Sequence, residues 1–253
     1  MRLGDGAVRF GGAGQPIVLL HGLMGRATTW WRVAQWLTSY GDVVGLDARG
    51  HGRSPRPLPA ATEDFAADAA EFVEHLDAGP AVVIGHSMGG LHALALAATR
   101  PELVRAVVVE DFAPDLRGRT VDTWRGHFES WPVPFASLSH VREFFGSAGE
   151  YFVECFEEHS DGYRLIADLD DLYAIAAEWG NRDYWSYVDK LDRPLLVVEA
   201  GDTVMPAGQQ AELAERAGGR HVVVDGAGHV VHDTAPDEYR GAVEAFLSDV
   251  LDR

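Results

Sequence analysis

The sequence predicts an α/β fold: a mostly parallel sheet with helices on both faces and one helical insertion. Three observations carry that expectation. Short apolar runs at 17–20, 43–46, 82–84, 105–109 and 194–198 alternate with helical stretches, as strands buried on both faces do. Between Ala81-Val82-Val83-Ile84 and the Ala/Leu-rich stretch 91–99 lies Gly85-His86-Ser87-Met88-Gly89, a strand–turn–helix junction of the form G-x-S-x-G. From about residue 114 to 192 the alternation lapses, and that stretch holds 15 of the chain's 25 aromatic residues.

Composition bounds the function. A chain of 253 residues, 47% hydrophobic and 24% charged, can bury a sizeable core. Its 39 acidic against 21 basic side chains give a net charge of −18, which repels phosphate backbones and anionic lipid headgroups. Nucleic acid and membrane are therefore not expected partners; a small-molecule substrate and a monomer or homodimer are. The single cysteine, Cys155, rules out an internal disulfide and reads as a small buried apolar residue. Residues 1–14 contain no apolar core of signal-peptide length and no stretch approaches a membrane span, so a cytoplasmic location is expected.

In order, Ala7-Val8-Arg9-Phe10 reads as an edge strand. Gly11-Gly12-Ala13-Gly14 reads as a turn, not a phosphate loop, because no helix opens behind it. The strand 17–20 runs into His21-Gly22-Leu23-Met24-Gly25, a loop that can bring the Leu23 N–H beside that of Met88. Thr28 or Thr29 can cap a helix to about Tyr40 whose stripe is Trp30, Val33, Trp36 and Leu37. After the strand 43–46, Asp47 and His51 stand in the turn Asp47-Ala48-Arg49-Gly50-His51-Gly52-Arg53-Ser54-Pro55, where satisfying backbone groups is the expected role. A helix over 65–76 precedes the strand that carries Ser87.

At a sharp strand-to-helix turn the neighbours two before and two after the serine must lack side chains, as Gly85 and Gly89 do. The helix behind then aims free N–H groups at an oxyanion. After the strand 105–109, ending at Glu110-Asp111, the aromatic-rich region reads as a lid over the strand ends, with helices at 121–130, 138–145, 150–159 and 169–179. Most of its rings are expected to form the lid's own core; Trp124, Phe128, Phe144, Phe145 and Trp179 are the pocket candidates. Carboxylates outnumber bases there, 16 to 7, which disfavours anionic substrates if that field reaches the pocket; a solvated acidic exterior is the plainer expectation.

The sheet resumes at 194–199, followed by Gly201-Asp202-Thr203, a helix over 209–217, a strand at 221–224, Gly226-Ala227-Gly228-His229, and a final helix over 239–251. Ser87, Asp202 and His229 occur in the order serine, acid, histidine, each beyond a strand end. His229 and His232 lack a third ligand, so no metal is expected and His232 reads as structural. His86 is expected to pack under the turn.

These residues resemble the α/β-hydrolase fold family through His21-Gly22, Asp47-x-Arg49-Gly50-His51-Gly52-x-Ser54, Gly85-His86-Ser87-Met88-Gly89, Gly201-Asp202 with Pro206, and Gly228-His229. Within it, His21 to Gly25 and Val109-Glu110-Asp111-Phe112-Ala113-Pro114 are similar to the lidded serine esterases of the YbfF and ABHD11 kind. The resemblance implies a core at 1–113 and 193–253, a helical lid at 114–192 inserted after the sixth strand, a Ser87–Asp202–His229 triad, an oxyanion hole of Leu23 and Met88, and no cofactor. Some members carry the acid after the earlier strand, which makes Asp111 the alternative; Thr203 to Pro206 favours Asp202. The implied activity is hydrolysis of esters with small to medium, neutral apolar acyl or aryl groups. A carbon–carbon bond hydrolase, lactonase or perhydrolase would share the triad, and a ligand receptor with a vestigial triad is the reading outside enzymes.

Overall fold

In the computed structural model, which describes residues 6–54, 61–119 and 121–251, the apolar runs become the strands of one seven-stranded sheet. Pro55, in the glycine-rich turn, lies outside the described residues, as do residues 1–5 of the N-terminal stretch. Strands β1 (Ala7–Gly11), β2 (Pro16–Leu20) and β3 (Asp42–Leu46) come first, with a 3₁₀ turn at Ala27–Trp30 and helix α1 (Trp31–Leu37) between β2 and β3. Neither Thr28 nor Thr29 caps α1. Thr28 instead donates to Glu154 at 2.6 Å and Thr29 to the Arg26 carbonyl at 2.8 Å. Helix α2 (Thr62–Leu76), strand β4 (Ala81–His86), helix α3 (Met88–Thr99) and strand β5 (Val104–Glu110) complete the first half.

The insertion follows. It comprises α4 (Val121–Phe128), α5 (Leu138–Phe145), α6 (Gly149–Val153), a hairpin of β6 (Phe156–His159) and β7 (Gly162–Leu165), α7 (Leu169–Trp179) and α8 (Trp185–Val188). In this chain's own count it leaves the sheet after the fifth described strand. The helix expected over 150–159 is corrected: it stops at Val153, and Phe156–His159 pairs antiparallel with Gly162–Leu165. The physical reason is the Asp161-Gly162 turn, where Gly162 takes φ 131° and turns the chain back on itself. Strand β8 (Leu195–Ala200), helix α9 (Gln209–Arg216), strand β9 (Arg220–Val224) and helices α10 (Val231–Thr234) and α11 (Pro236–Leu251) finish the chain.

The strand order is β1-β3-β2-β4-β5-β8-β9, parallel throughout except for the β1–β3 pair. One apolar cluster, under α2 and α3, runs without a break into the insertion and includes Trp131, Phe135 and Trp179. The other face is covered by the 3₁₀ turn, α1 and α11 through Trp30, Val33, Leu37, Tyr239 and Phe246. Polar ties also fix the insertion to the sheet domain. Glu154 accepts from Arg26 and Thr28, Glu178 from the Thr62 N–H and hydroxyl, and Glu63 from Arg182 and Tyr187.

The register matters for function. His86 pairs with Glu110 and Glu110 with Val198, so β4 and β5 end level with one another and β8 runs two residues further, to Ala200. The Ser87 N–H donates to the Glu110 carbonyl at 2.8 Å and the Asp111 N–H to the Val198 carbonyl at 2.9 Å. The residues just past these ends are therefore neighbours, as expected at the carboxyl edge of a parallel sheet.

Candidate active site

Ser87 caps α3 at φ 51° and ψ −116°, a region costly for a residue with a Cβ. The two glycines make that turn possible. A Cβ on Gly85 would lie 2.1 Å from the Gly89 carbonyl oxygen, and one on Gly89 2.1 Å from that of Leu20. The steric argument from the pentapeptide thus holds at both positions.

Two peptide N–H groups are aimed by their own carbonyls. In a trans peptide the N–H points opposite to the C=O of the preceding residue. The Gly22 carbonyl is held by the Gly25 N–H at 2.9 Å and by His21 Nδ1 at 2.8 Å, which fixes the direction of the Leu23 N–H. His21 Nε2 accepts from the Ala48 N–H at 3.0 Å, so the Nδ1 atom carries the proton. The Ser87 carbonyl accepts from the Gly90 and Leu91 N–H groups at 2.9 and 3.3 Å, and the Met88 N–H, in the first turn of α3, has no intrahelical acceptor. Leu23 and Ser87 both line the cavity described below.

The histidine and its acid follow. His229 Nδ1 lies 2.6 Å from Asp111 Oδ2; the carboxylate is fully buried and the imidazole 28% exposed. The expectation that Asp202 orients His229 is corrected here. Asp202 is an exposed residue whose N–H donates to the Ala227 carbonyl, whereas Asp111 turns at φ 44° to face the imidazole. The loop after β8 contributes Thr203 instead. Its hydroxyl sits 2.8 Å from Asp111 Oδ1, beside the Gln210 amide at 2.8 Å and the Ala200 N–H at 3.1 Å. Burial pushes the Asp111 carboxyl upward, but the bonds from His229, Gln210 and Ala200 outweigh it and hold the group below the usual carboxylate range.

Beneath lies a second histidine layer. His86 Nε2 donates to the His229 carbonyl at 3.0 Å, and burial drives His86 down to about 3, so it stays neutral. Glu110, fully buried, accepts from the His232 N–H at 3.0 Å and from its Nδ1 at 2.8 Å. Trp30 stacks on the His232 ring at 4.3 Å. His86 and His232 thus take the structural places expected of them. Asp47 and His51 do likewise: Asp47 accepts from the Ala27 and Arg53 N–H groups, and the His51 ring lies between the Arg49 and Leu23 carbonyls, to one of which its single N–H donates. Cys155 is buried, and burial pushes its thiol up.

Ser87 and His229 open onto a cavity of about 560 Å³ with a largely apolar wall. Among the pocket candidates, Trp124, Phe128 and Trp179 line it. Phe144 and Phe145 do not, which corrects that part of the expectation. Phe144 is 44% exposed on the outside of α5, and Phe145 stacks at 3.7 Å on Phe152, one layer behind the wall. Trp131, Tyr151, Phe152 and Arg119 line the cavity without having been singled out by sequence. Tyr151 and Phe152 lie on the short α6, whose position over the loop after β2 no local pattern announces. Among the described residues no group of three His, Cys, Asp or Glu side chains is placed to hold a metal ion, and no helix is long and apolar enough to cross a membrane.

Comparison with known proteins agrees with this architecture. The profile described as "Alpha/beta hydrolase family" matches residues 17–242. The chain is 28% identical to Esterase YbfF of Escherichia coli over 92% of its own length and 93% of that protein's. It is 27% identical to (E)-2-((N-methylformamido)methylene)succinate hydrolase of Acinetobacter baylyi, over 93% and 91% of the two chains. Among solved structures, that of E-2-(acetamidomethylene)succinate hydrolase superposes with a TM-score of 0.86 at 24% identity, covering 96% of this chain and 94% of the other.

Proposed function

The chain belongs to the alpha/beta hydrolase family, and from that premise we propose that it is a serine hydrolase that cleaves carboxylic esters through an acyl-enzyme. The observation that carries the reading is the 2.6 Å contact of His229 with a buried, multiply held Asp111, in a cavity that Ser87 shares. His229 takes the Ser87 proton as the hydroxyl attacks the ester carbonyl, and Asp111 keeps the imidazole proton on Nδ1 and steadies the imidazolium. The Leu23 and Met88 N–H groups receive the oxyanion; each such donor lowers the barrier by about 3 kcal/mol. The alcohol leaves with the proton from His229, and water repeats the sequence on the acyl-enzyme. The insertion, residues 114–192 in this reading, acts as the lid that excludes bulk water.

Small to medium acyl groups fit a cavity of about 560 Å³ walled by Trp124, Phe128 and Trp179. The test is turnover of p-nitrophenyl acetate and butyrate. We expect sustained turnover that Ser87→Ala lowers by at least about ten-thousandfold. A single burst equal to the enzyme concentration, with no steady state, is what a receptor with a vestigial triad gives and would refute the esterase reading.

A second reading keeps the same residues but cleaves an acyl–nitrogen bond. It is favoured by the Acinetobacter baylyi relative, named for hydrolysis of an N-methylformamido compound. An anilide of the preferred acyl group hydrolysed as fast as its ester would select it.

A further inference from the structure

Among the described residues the cavity is lined by one arginine, Arg119, and by no lysine, aspartate or glutamate. That is the reverse of the chain as a whole, where acidic side chains outnumber basic ones 39 to 21. Most other described arginines find acids: Arg26 meets Glu154, Arg49 Asp68, Arg117 Asp115, Arg182 Glu63 and Arg216 Asp189, while Arg105 donates to the Val250 and Leu251 carbonyls instead. Arg119 meets none among the described residues. Arg53 also meets none, but it is an exposed turn residue outside the cavity.

The backbone of Arg119 is seated firmly. Its N–H donates to the Leu116 carbonyl at 3.1 Å, and the preceding Gly118 N–H donates to the Gly180 carbonyl at 3.2 Å. A Cβ on Gly180 would come within 2.6 Å of the Arg119 carbonyl oxygen, so the two segments touch where α7 ends, next to Trp179 on the cavity wall. A half-buried cation beside an apolar wall is costly without a counter-charge, and a bound anion would supply one.

We propose that Arg119 is a carboxylate-binding subsite, and that the substrate is a hemi-ester of a dicarboxylic acid, with its ester carbonyl at Ser87 and its free carboxylate at Arg119. One guanidinium neutralises one carboxylate, whereas a dianionic phosphate would be left half-compensated in an apolar cavity with no second arginine or lysine on its wall. The carboxylate takes no part in bond making or breaking. It orients the acyl chain across the cavity. The carboxylates that outnumber bases in the insertion are absent from the described lining, so none of those lining residues meets a bound carboxylate with a like charge. This inference rests on the serine-hydrolase reading and deepens it.

The test compares mono-p-nitrophenyl succinate and glutarate with neutral p-nitrophenyl esters of matching length. A charge-assisted, bidentate pair predicts kcat/KM ratios of about tenfold to a hundredfold in favour of a hemi-ester. Arg119→Gln should collapse that ratio toward one, and Arg119→Lys should restore part of it. A wild-type ratio of one or less, with the neutral esters turned over, overturns the subsite and leaves the esterase reading intact. Binding of monomethyl glutarate against methyl valerate to the Ser87→Ala protein reads the subsite without chemistry. Preference for the anion, lost in Ser87→Ala/Arg119→Gln, supports the proposal even if the bond cleaved is not an ester, and equal affinity for the two ligands overturns it.

Discussion

Asp111 and Asp202 both follow strand ends, and only one of them is built into a site. Asp111 is fully buried and receives His229, Thr203, Gln210 and the Ala200 N–H, while Asp202 faces solvent. Replacing Asp111 by Asn substitutes a neutral amide that no longer fixes the Nδ1–H tautomer or balances the imidazolium. Asp111→Asn is therefore expected to lower kcat by about a thousandfold to ten-thousandfold, and Asp202→Asn to change it less than about threefold. Steady-state kinetics on a p-nitrophenyl ester decides between them, and the opposite pattern would return the acid to Asp202. The serine was legible because Gly85 and Gly89 have a steric role local to its turn, and the histidine because it follows a glycine-bearing loop just past a strand end. The choice of acid was not, because it depends on the turn at Asp111 and on Gln210, 99 residues further along the chain, and neither leaves a mark near Asp111 in sequence.

At the end of β5 two successive carboxylates each hold a histidine of the segment that follows β9. Asp111 takes His229 and Glu110 takes His232, so the segment is gripped at two points three residues apart. Burial pushes the Glu110 carboxyl up, but its contacts with His232 outweigh that push and hold the group below the usual carboxylate range. Glu110→Gln removes a buried charge from beside its partner and is expected to cost about 3 kcal/mol or more. A urea melt measures the loss, and an unchanged midpoint would show that the grip contributes nothing. Elements differ in legibility for a related reason. Helices α5 and α7 appear at the expected residues, and each begins at a side-chain cap, Ser137 accepting from the His140 N–H and Asp168 from the Asp170 N–H. The β6–β7 hairpin did not announce itself, because Phe156-Glu157-Glu158-His159 is short and polar, and only its pairing with Gly162–Leu165 makes it a strand.

Across the whole molecule, the acidic surface and the histidine-rich interior respond to acid at different pH. His21, His86 and His92 are buried, and burial holds all three below the ordinary histidine value, His86 and His92 down to about 3. Between about pH 6.5 and that value the unfolded chain binds protons at these sites and the folded chain does not. Stability therefore falls as pH drops, by up to about 1.4 kcal/mol per pH unit for each histidine. Protonating carboxylates would relieve the repulsion implied by a net charge of −18, but the ordinary carboxylate value, about 4, lies below the range where the histidines begin to act. The histidine effect thus dominates first. The urea midpoint is expected to fall between about pH 7 and about pH 5, and His92→Gln, which removes a neutral ring stacked at 4.4 Å on Phe65, should flatten the slope even as it lowers the plateau. A midpoint that holds level or rises over that interval would mean that the buried imidazoles gain protons in the folded state, against the burial that surrounds them.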